Sequence, residues 1–183
     1  MKLDKRVYLL LFLLSILIFV TNNGAVYANT NETPPLCEEM YTQAGYKTVE
    51  EAVREFEDHF KKDVKLPFIL PSIPFTHQFG RFTEDNEYNI NDSLDIEFIN
   101  EKSPENLYRI DIRPLKNKIT TKYRRNQSIY TLNNGQEAIY IVGDHINFLI
   151  FEIDEWQYML GINKKVTNKV TADALVEIAN SID

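Results

Sequence analysis

The chain has 183 residues, of which 44% are apolar and 26% are charged. These proportions are typical of a globular domain and exclude collagen-like, largely disordered and polytopic membrane proteins. Without the first 28 residues, which hold three basic residues and one acidic residue, the other 155 have a net charge near −9 (17 basic minus 26 acidic). Such a domain is a poor general binder of nucleic acid, which needs clustered positive charge.

The first elements in chain order have the pattern of an export signal. A short positive segment is followed by residues 7–20, a nearly unbroken apolar run of 14 residues. This run is short for a transmembrane helix, which needs about 20 apolar residues. Val26 and Ala28 are small, which predicts a signal peptide (residues 1–28) cleaved after Ala28. The alternative is an uncleaved N-terminal anchor. Either outcome predicts a secreted or cell-surface protein, located outside the cytoplasm.

Residues 29–46 are rich in polar residues and prolines near their start, which predicts a linker before a single domain at residues 47–183. The linker holds Cys37, the one cysteine of the chain, so an intramolecular disulfide is excluded. Leu36 precedes it, where a lipid-attachment motif requires a small residue. Lipid attachment at Cys37 is therefore not favoured.

The domain begins with a predicted helix over residues 49–61. Thr48 and Glu51 have the spacing of a capping box, and apolar residues then recur at helical spacing along one face. Residues 66–74 follow, with three prolines among large apolar residues. Proline forbids both a helix and a central strand there, so this segment is expected to be extended and packed on the core.

Residues 75–162 predict antiparallel strands. Apolar and charged residues alternate over 94–98 and 108–113, as in a sheet with one solvated face. Residues 120–125 predict a more polar strand. Turn sequences at 133–135 and 143–144 predict two hairpins, and Thr171 predicts the start of a C-terminal helix. The expected fold is α+β, with a curved antiparallel sheet of about seven strands and a helix from each end of the domain packed on it.

Several segments together resemble the bacterial domain of unknown function 4367 family. They are the capped helix leading into LPFILP at 66–71, GQEAIY at 135–140, WQY at 156–158, and the terminal IANSI at 178–182. The resemblance covers residues 48–183. Gln157 and Ser72 stand where that family usually has glycine. The resemblance implies an extracytoplasmic module of secreted proteins, lipoproteins and anti-sigma-like proteins, with no established catalytic residues.

Motifs for cofactor or metal chemistry are absent from the sequence. The three histidines, His59, His77 and His145, do not stand at metal-motif spacing from each other or from Cys37. No GxSxG, GxGxxG or phosphate-binding loop occurs. The sequence therefore predicts no catalytic residues, no cofactor and no metal.

Three features are candidate sites, each with a structural alternative. A basic segment without acids could contact an anionic polymer or lipid headgroups, or could protect an edge strand from aggregation; its cations are Lys116, Lys118, Lys122, Arg124 and Arg125. Glu152, Asp154 and Glu155 could act in acid–base catalysis, or could be solvated turn charges. An aromatic-lined groove on the sheet could hold an apolar ligand or an extended peptide, or the aromatic residues could fill the core.

These observations predict an exported, non-enzymatic binding or sensor module of the bacterial cell envelope. Its expected partner is an anionic envelope polymer, lipid headgroups or a peptide, with peripheral membrane contact and without nucleic acid. One alternative is an envelope hydrolase that uses the late carboxylates. The other is a structural accessory protein.

Overall fold

The computed structural model describes residues 36–85, 87–88, 90–120 and 126–182. Within them are three α-helices and one sheet of seven antiparallel strands. The elements in chain order are α1 (Cys37–Gln43), α2 (Val49–Phe60), β1 (His77–Thr83), β2 (Ser93–Ile99), β3 (Leu107–Pro114), β4 (Gln127–Thr131), β5 (Glu137–Ile141), β6 (Ile146–Ile153), β7 (Trp156–Asn163) and α3 (Ala172–Ala179). The predicted α+β class, with helices from both ends flanking an antiparallel sheet of seven strands, is confirmed. The predicted export signal and residues 121–125 of the predicted polar strand at 120–125 lie outside the described residues, and Thr120 is not in a strand.

Two meanders make up the sheet, whose strand order is β1-β2-β3-β7-β6-β5-β4. The first meander is β1 to β3 and the second is β4 to β7, and they join where β3 pairs with β7. The connection from β3 must therefore reach the far edge of the sheet before β4 begins. Both predicted hairpins, β4–β5 and β5–β6, are present.

One face of the sheet packs on helices α2 and α3 and forms the core. Alternate residues of every strand from β1 to β7 point to this face, because side chains alternate along a strand. The largest fully buried side chains include Phe56 of α2, Tyr108 of β3 and Tyr158 of β7. Most of the large aromatic residues therefore fill the core.

Helix α2 forms where the sequence predicts it. Thr48 Oγ1 accepts a hydrogen bond from the Glu51 backbone N–H, and the Glu51 carboxylate accepts one from the Thr48 N–H. The helix ends at Lys61, which has a left-handed backbone conformation (φ 54°). Gly80 of β1 permits close contact with this helix, because a Cβ there would lie 2.8 Å from Ala52 Cβ.

The proline-rich segment forms neither helix nor strand and lies against the core, as expected. Two aromatic residues of β7 hold the stretch before it by hydrogen bonds to its backbone. Trp156 Nε1 donates to the Asp63 carbonyl (3.1 Å), and the Tyr158 hydroxyl donates to the Lys65 carbonyl (3.0 Å). Ile73 is buried, while Phe68 remains 73% exposed. The side chains on the inner side of the segment thus cover the core, and those on its outer side remain in solvent.

The interpretation of residues 29–46 as a linker is wrong for the part that the structure describes. Helix α1 forms there, and the Tyr41 ring stacks on Phe79 of β1 at a centroid distance of 4.2 Å. Lys47 then exchanges two backbone hydrogen bonds with Gly80. A helix of seven residues has little stability alone, so tertiary contacts explain why the sequence pattern did not reveal it. The compact unit accordingly begins at Leu36.

In the described part of the chain, none of the helices has both the length and the apolar character needed to cross a membrane.

Candidate functional site

The sheet face opposite α2 and α3, here called the open face, divides into a charged half and an apolar half. Strand register places seven residues in one row across it. In order from β1 to β4, they are Arg81, Asp95, Asp111, Met159, Ile150, Ile139 and Ile129. The change from charged to apolar occurs where the two meanders join.

Ion pairs neutralise the charged half. The Asp95 carboxylate lies between two arginines, with Arg109 Nη2 at 2.6 Å and Arg81 Nη2 at 3.2 Å. Asp111 accepts two hydrogen bonds from Arg113 (2.7 and 3.2 Å). Both carboxylates are buried, which contradicts the expectation of a solvated face. The arginine partners make this burial tolerable, because a buried charge needs a partner and hydrogen bonds.

The pKa values of this half follow from burial. Burial raises the pKa of the Asp111 carboxyl, and the charge of Asp95 adds to this, although Arg113 opposes it. Helix α1 covers the neighbouring Glu97, which accepts hydrogen bonds from Tyr41 (2.8 Å) and Tyr46 (3.4 Å). Burial, followed by the charge of Glu97, raises the pKa of Tyr46 to about 12. Each of these carboxylates is held by arginine or tyrosine side chains, so the charged half has the character of a structural network.

A groove of about 400 Å³ lies in the apolar half. Its lining residues are Gln136, Glu137, Ile139, Ile150, Phe151, Glu152 and Gln157. Its volume falls within the range of small-ligand sites, which is roughly 300–1,000 Å³. Phe151 is the one aromatic residue among these lining residues, so this groove does not have the aromatic lining that the sequence suggested. Exposure rises along the row toward the sheet edge, from 7% at Ile150 to 61% at Ile129.

The connection after β3 reaches this half of the open face at Ile119. The Ile119 N–H donates to Gln157 Oε1 (2.7 Å), and Gln157 Nε2 donates to the Ile119 carbonyl (3.1 Å). Lys118 Nζ contacts Glu152 at 2.9 Å. Gln157 is buried, so this amide pair fixes the start of the crossover above β7. One end of the groove is therefore bounded by the crossover.

The described members of the basic segment are not one patch. Lys116 lies 5.5 Å from the centroid of the Phe60 ring and 3.7 Å from the buried Asp92 carboxylate. Lys118 pairs with Glu152 on the open face. Each of these lysines thus has a carboxylate partner of its own, on a different element. The other three predicted cations, Lys122, Arg124 and Arg125, lie outside the described residues.

The late carboxylates, Glu152, Asp154 and Glu155, also do not form one cluster. Glu152 pairs with Lys118, and Glu155 pairs with Lys62, which follows α2. Asp154 occupies a left-handed position (φ 54°) in the turn between β6 and β7, a conformation that aspartate tolerates better than most residues. This arrangement gives each carboxylate a structural role.

The histidines lie on three separate elements. His59 approaches Glu84 (3.5 Å), His77 approaches Glu38 (3.6 Å), and His145 precedes β6. Among residues 36–182, as far as the structure describes them, no group of three or more His, Cys, Asp or Glu side chains could hold a metal ion.

Comparison with known proteins gives no match for this chain to a family model, a curated protein or a solved structure. The resemblance to the domain of unknown function 4367 family remains a prediction.

Sequence reasoning suggested a groove on the sheet but not its position or lining, and it missed the buried ion-pair network. The alternation at 94–98 and 108–113 could have indicated the network. It places acidic residues of one strand opposite basic residues of the next, such as Glu97 opposite Arg109. The position of the groove had no local signal, because the β5–β6 hairpin that holds Ile139 and Ile150 does not itself show which face stays open.

Proposed function

We propose that this protein is an exported, non-enzymatic binding module of the bacterial cell envelope, and that the groove on the open face binds an extended peptide. The observation that carries the proposal is the apolar floor of Ile139 and Ile150 with polar walls, on the sheet face opposite α2 and α3. Four of the seven lining residues are polar, so the groove offers a small apolar floor to side chains and hydrogen-bonding groups to a peptide backbone. The export of the protein rests on the positive and apolar segments at its N-terminus.

Charge favours a peptide with basic side chains over an anionic polymer. Glu137 and Glu152 flank the floor of the groove, and the net charge of the chain is −7. Lys118 offsets Glu152, whereas Glu137 is exposed and has no ion-pair partner among the described residues. Gln136, next to Glu137 in the groove lining, can offer its side-chain amide to a peptide backbone. An anionic ligand would meet net negative charge there.

Binding is favoured over hydrolysis because the late carboxylates are not arranged as a catalytic pair. A glycosidase needs two carboxyl groups that flank one bond and have separated pKa values. Here Glu152 and Glu155 form ion pairs with lysines from different elements, and Asp154 forms a turn. We therefore propose that Glu152 contributes charge to the wall of the groove.

The test uses the full chain and a fluorescent peptide of alternating lysine and valine. We expect the peptide to bind to the native protein, and Ile139→Lys to weaken binding by about tenfold or more, because it removes part of the floor and adds repulsion. Glu137→Gln, which changes no buried group, should weaken binding less and reduce its dependence on salt. Ile90→Lys, the same substitution at a residue that is 59% exposed in the β1–β2 loop, is the matched control.

Absence of binding to the native chain, or equal loss in Ile139→Lys and Ile90→Lys, would contradict the proposal. Binding to phosphatidylglycerol vesicles that is lost when Lys122, Arg124 and Arg125 become glutamine would assign the function to the basic segment instead. N-terminal sequencing of the protein from the cell envelope tests export. We expect a start at Asn29 if the signal is cleaved, or a membrane-bound chain that keeps Met1. A soluble cytosolic chain with Met1 would contradict export.

A further inference from the structure

The outer edge of β4 carries backbone groups that no other described residue binds. Backbone hydrogen bonds from Leu132 N–H to the Gln136 carbonyl and from Val142 N–H to the Asn126 carbonyl show which β4 residues face β5. Because antiparallel hydrogen bonding alternates, even-numbered β4 residues bond to β5 and odd-numbered ones point outward. The outward N–H and C=O groups belong to Gln127, Ile129 and Thr131. Together they are three donors and three acceptors.

The opposite edge of the sheet is covered at its centre. Lys47 exchanges two backbone hydrogen bonds with Gly80 of β1, and α1 and α2 contact the two faces of that strand. A long, unprotected edge strand is a template for pairing with another chain, and proteins normally blunt such edges with lysine, proline or a bulge. Strand β4, with the sequence QSIYT, has none of these.

We propose that β4 pairs with β4 of a second copy of this chain, antiparallel and about a two-fold axis at Ile129. In this register Ile129 faces Ile129 of the partner, and Gln127 faces Thr131 of the partner. The outward groups of both copies then satisfy one another in six hydrogen bonds, since each copy supplies three donors. The result is one continuous sheet through both protomers, with an isologous interface.

The composition of the strand favours a second copy over an unrelated peptide. Strand β4 has no charged residue, so the two-fold register brings no like charges together. It pairs the isoleucine that is 61% exposed with itself and removes apolar surface from water on both copies. Since Ile129 continues the row from Ile150 and Ile139, the pairing would also join the apolar halves of the two open faces. This inference does not depend on the groove binding a peptide.

The test is disulfide trapping in the full chain with Cys37→Ser as background. Residues in a hydrogen-bonded antiparallel pair have Cα atoms about 5.5 Å apart, which a disulfide can span. We expect Ile129→Cys to form a covalent dimer under mild oxidation. Gln127→Cys alone and Thr131→Cys alone should not form one. In each case the two equivalent cysteines of the dimer are about 13 Å apart along the strands (four residues at about 3.3 Å each). A mixture of these two variants should crosslink, and it serves as the register control.

A second measurement is sedimentation of the native chain. We expect a dimer that dissociates on dilution, and a monomer for Ile129→Pro, because proline removes an outward N–H but no hydrogen bond to β5. Ile90→Pro is the matched control and should leave the dimer intact. A native chain that stays monomeric at high concentration would overturn the proposal. So would crosslinking of Gln127→Cys alone to the same extent as Ile129→Cys. Neither outcome affects the peptide-binding test at Ile139.

Discussion

At the scale of single residues, Asp111 shows how the open face can bury charge in the middle of a sheet. Its side chain is 3% exposed and lies directly across from Asp95 on the neighbouring strand. Two like charges at facing positions destabilise a sheet. Arginines on both sides offset this, since Arg113 binds Asp111 through two nitrogens, and Arg81 and Arg109 bind Asp95.

A pH prediction follows for Asp111. Its pKa in the folded chain lies above the ordinary value of 3.8, so the folded state binds this proton more tightly than the unfolded state. The stabilisation from Asp111 is therefore complete at pH values below 3.8 and decreases as pH rises through the folded pKa. We expect the free energy of unfolding of the native chain, minus that of Asp111→Asn, to fall over this range in denaturant titrations. Asp144→Asn, in an exposed turn, controls for net charge. A difference that grows with pH would contradict the prediction.

At the scale of elements, α1 is the least self-sufficient part of the described domain. It contains no buried residue, and its two glutamates in the first turn are the main features that favour a helix by themselves. Its position depends on Tyr41, which stacks on Phe79 and donates to Glu97. Tyr41 thus attaches α1 to both β1 and β2 at this edge of the sheet.

We expect Tyr41→Ala to release α1 while the sheet stays folded. An isolated helix of this length is marginal in water, so its amides should exchange quickly once the anchor is lost. Hydrogen exchange followed by mass spectrometry measures this for residues 37–43 separately from β2 and β3. Tyr41→Phe keeps the stacked ring and should give an intermediate result. Unchanged protection of α1 in Tyr41→Ala would show that other contacts hold it.

The elements differ in how far the sequence could predict them. Helix α2 was predictable, because Thr48 and Glu51 form the expected capping box and Ala52 and Phe56 face the core. The β4–β5 hairpin was predictable from its Asn-Gly turn. Helix α1 was not, because tertiary contacts stabilise it. The lining of the groove was not, because the pattern of the β5–β6 hairpin does not show which of its two faces the helices leave uncovered.

At the scale of the whole molecule, the β3–β7 pairing decides whether the two meanders act together. Ile110 of β3 faces Leu160 of β7, and both are buried beneath the helices. No polar layer separates the two halves of the core at this point, since the described core residues form one cluster. We infer that the described domain unfolds as one cooperative unit.

We expect Ile110→Ala to lower the free energy of unfolding by about 2–5 kcal/mol, the range for truncating a buried isoleucine. Fluorescence of Trp156, on β7, and far-ultraviolet circular dichroism should report one coincident transition in both the native and the variant chain. Ile90→Ala, at an exposed position, should change the free energy by about 0.5 kcal/mol or less. Two separate transitions in the variant would show that the meanders unfold independently.

The central position of β7 also has a consequence for biosynthesis. Strand β3 ends at Pro114, but its second neighbour begins only at Trp156, after three other strands. A growing chain therefore lacks the middle strand of its own sheet until those three strands and β7 have been made. Non-local pairing of this kind is slow to form. A delay of this kind would suit the export that we propose, because a translocation channel passes unfolded chains.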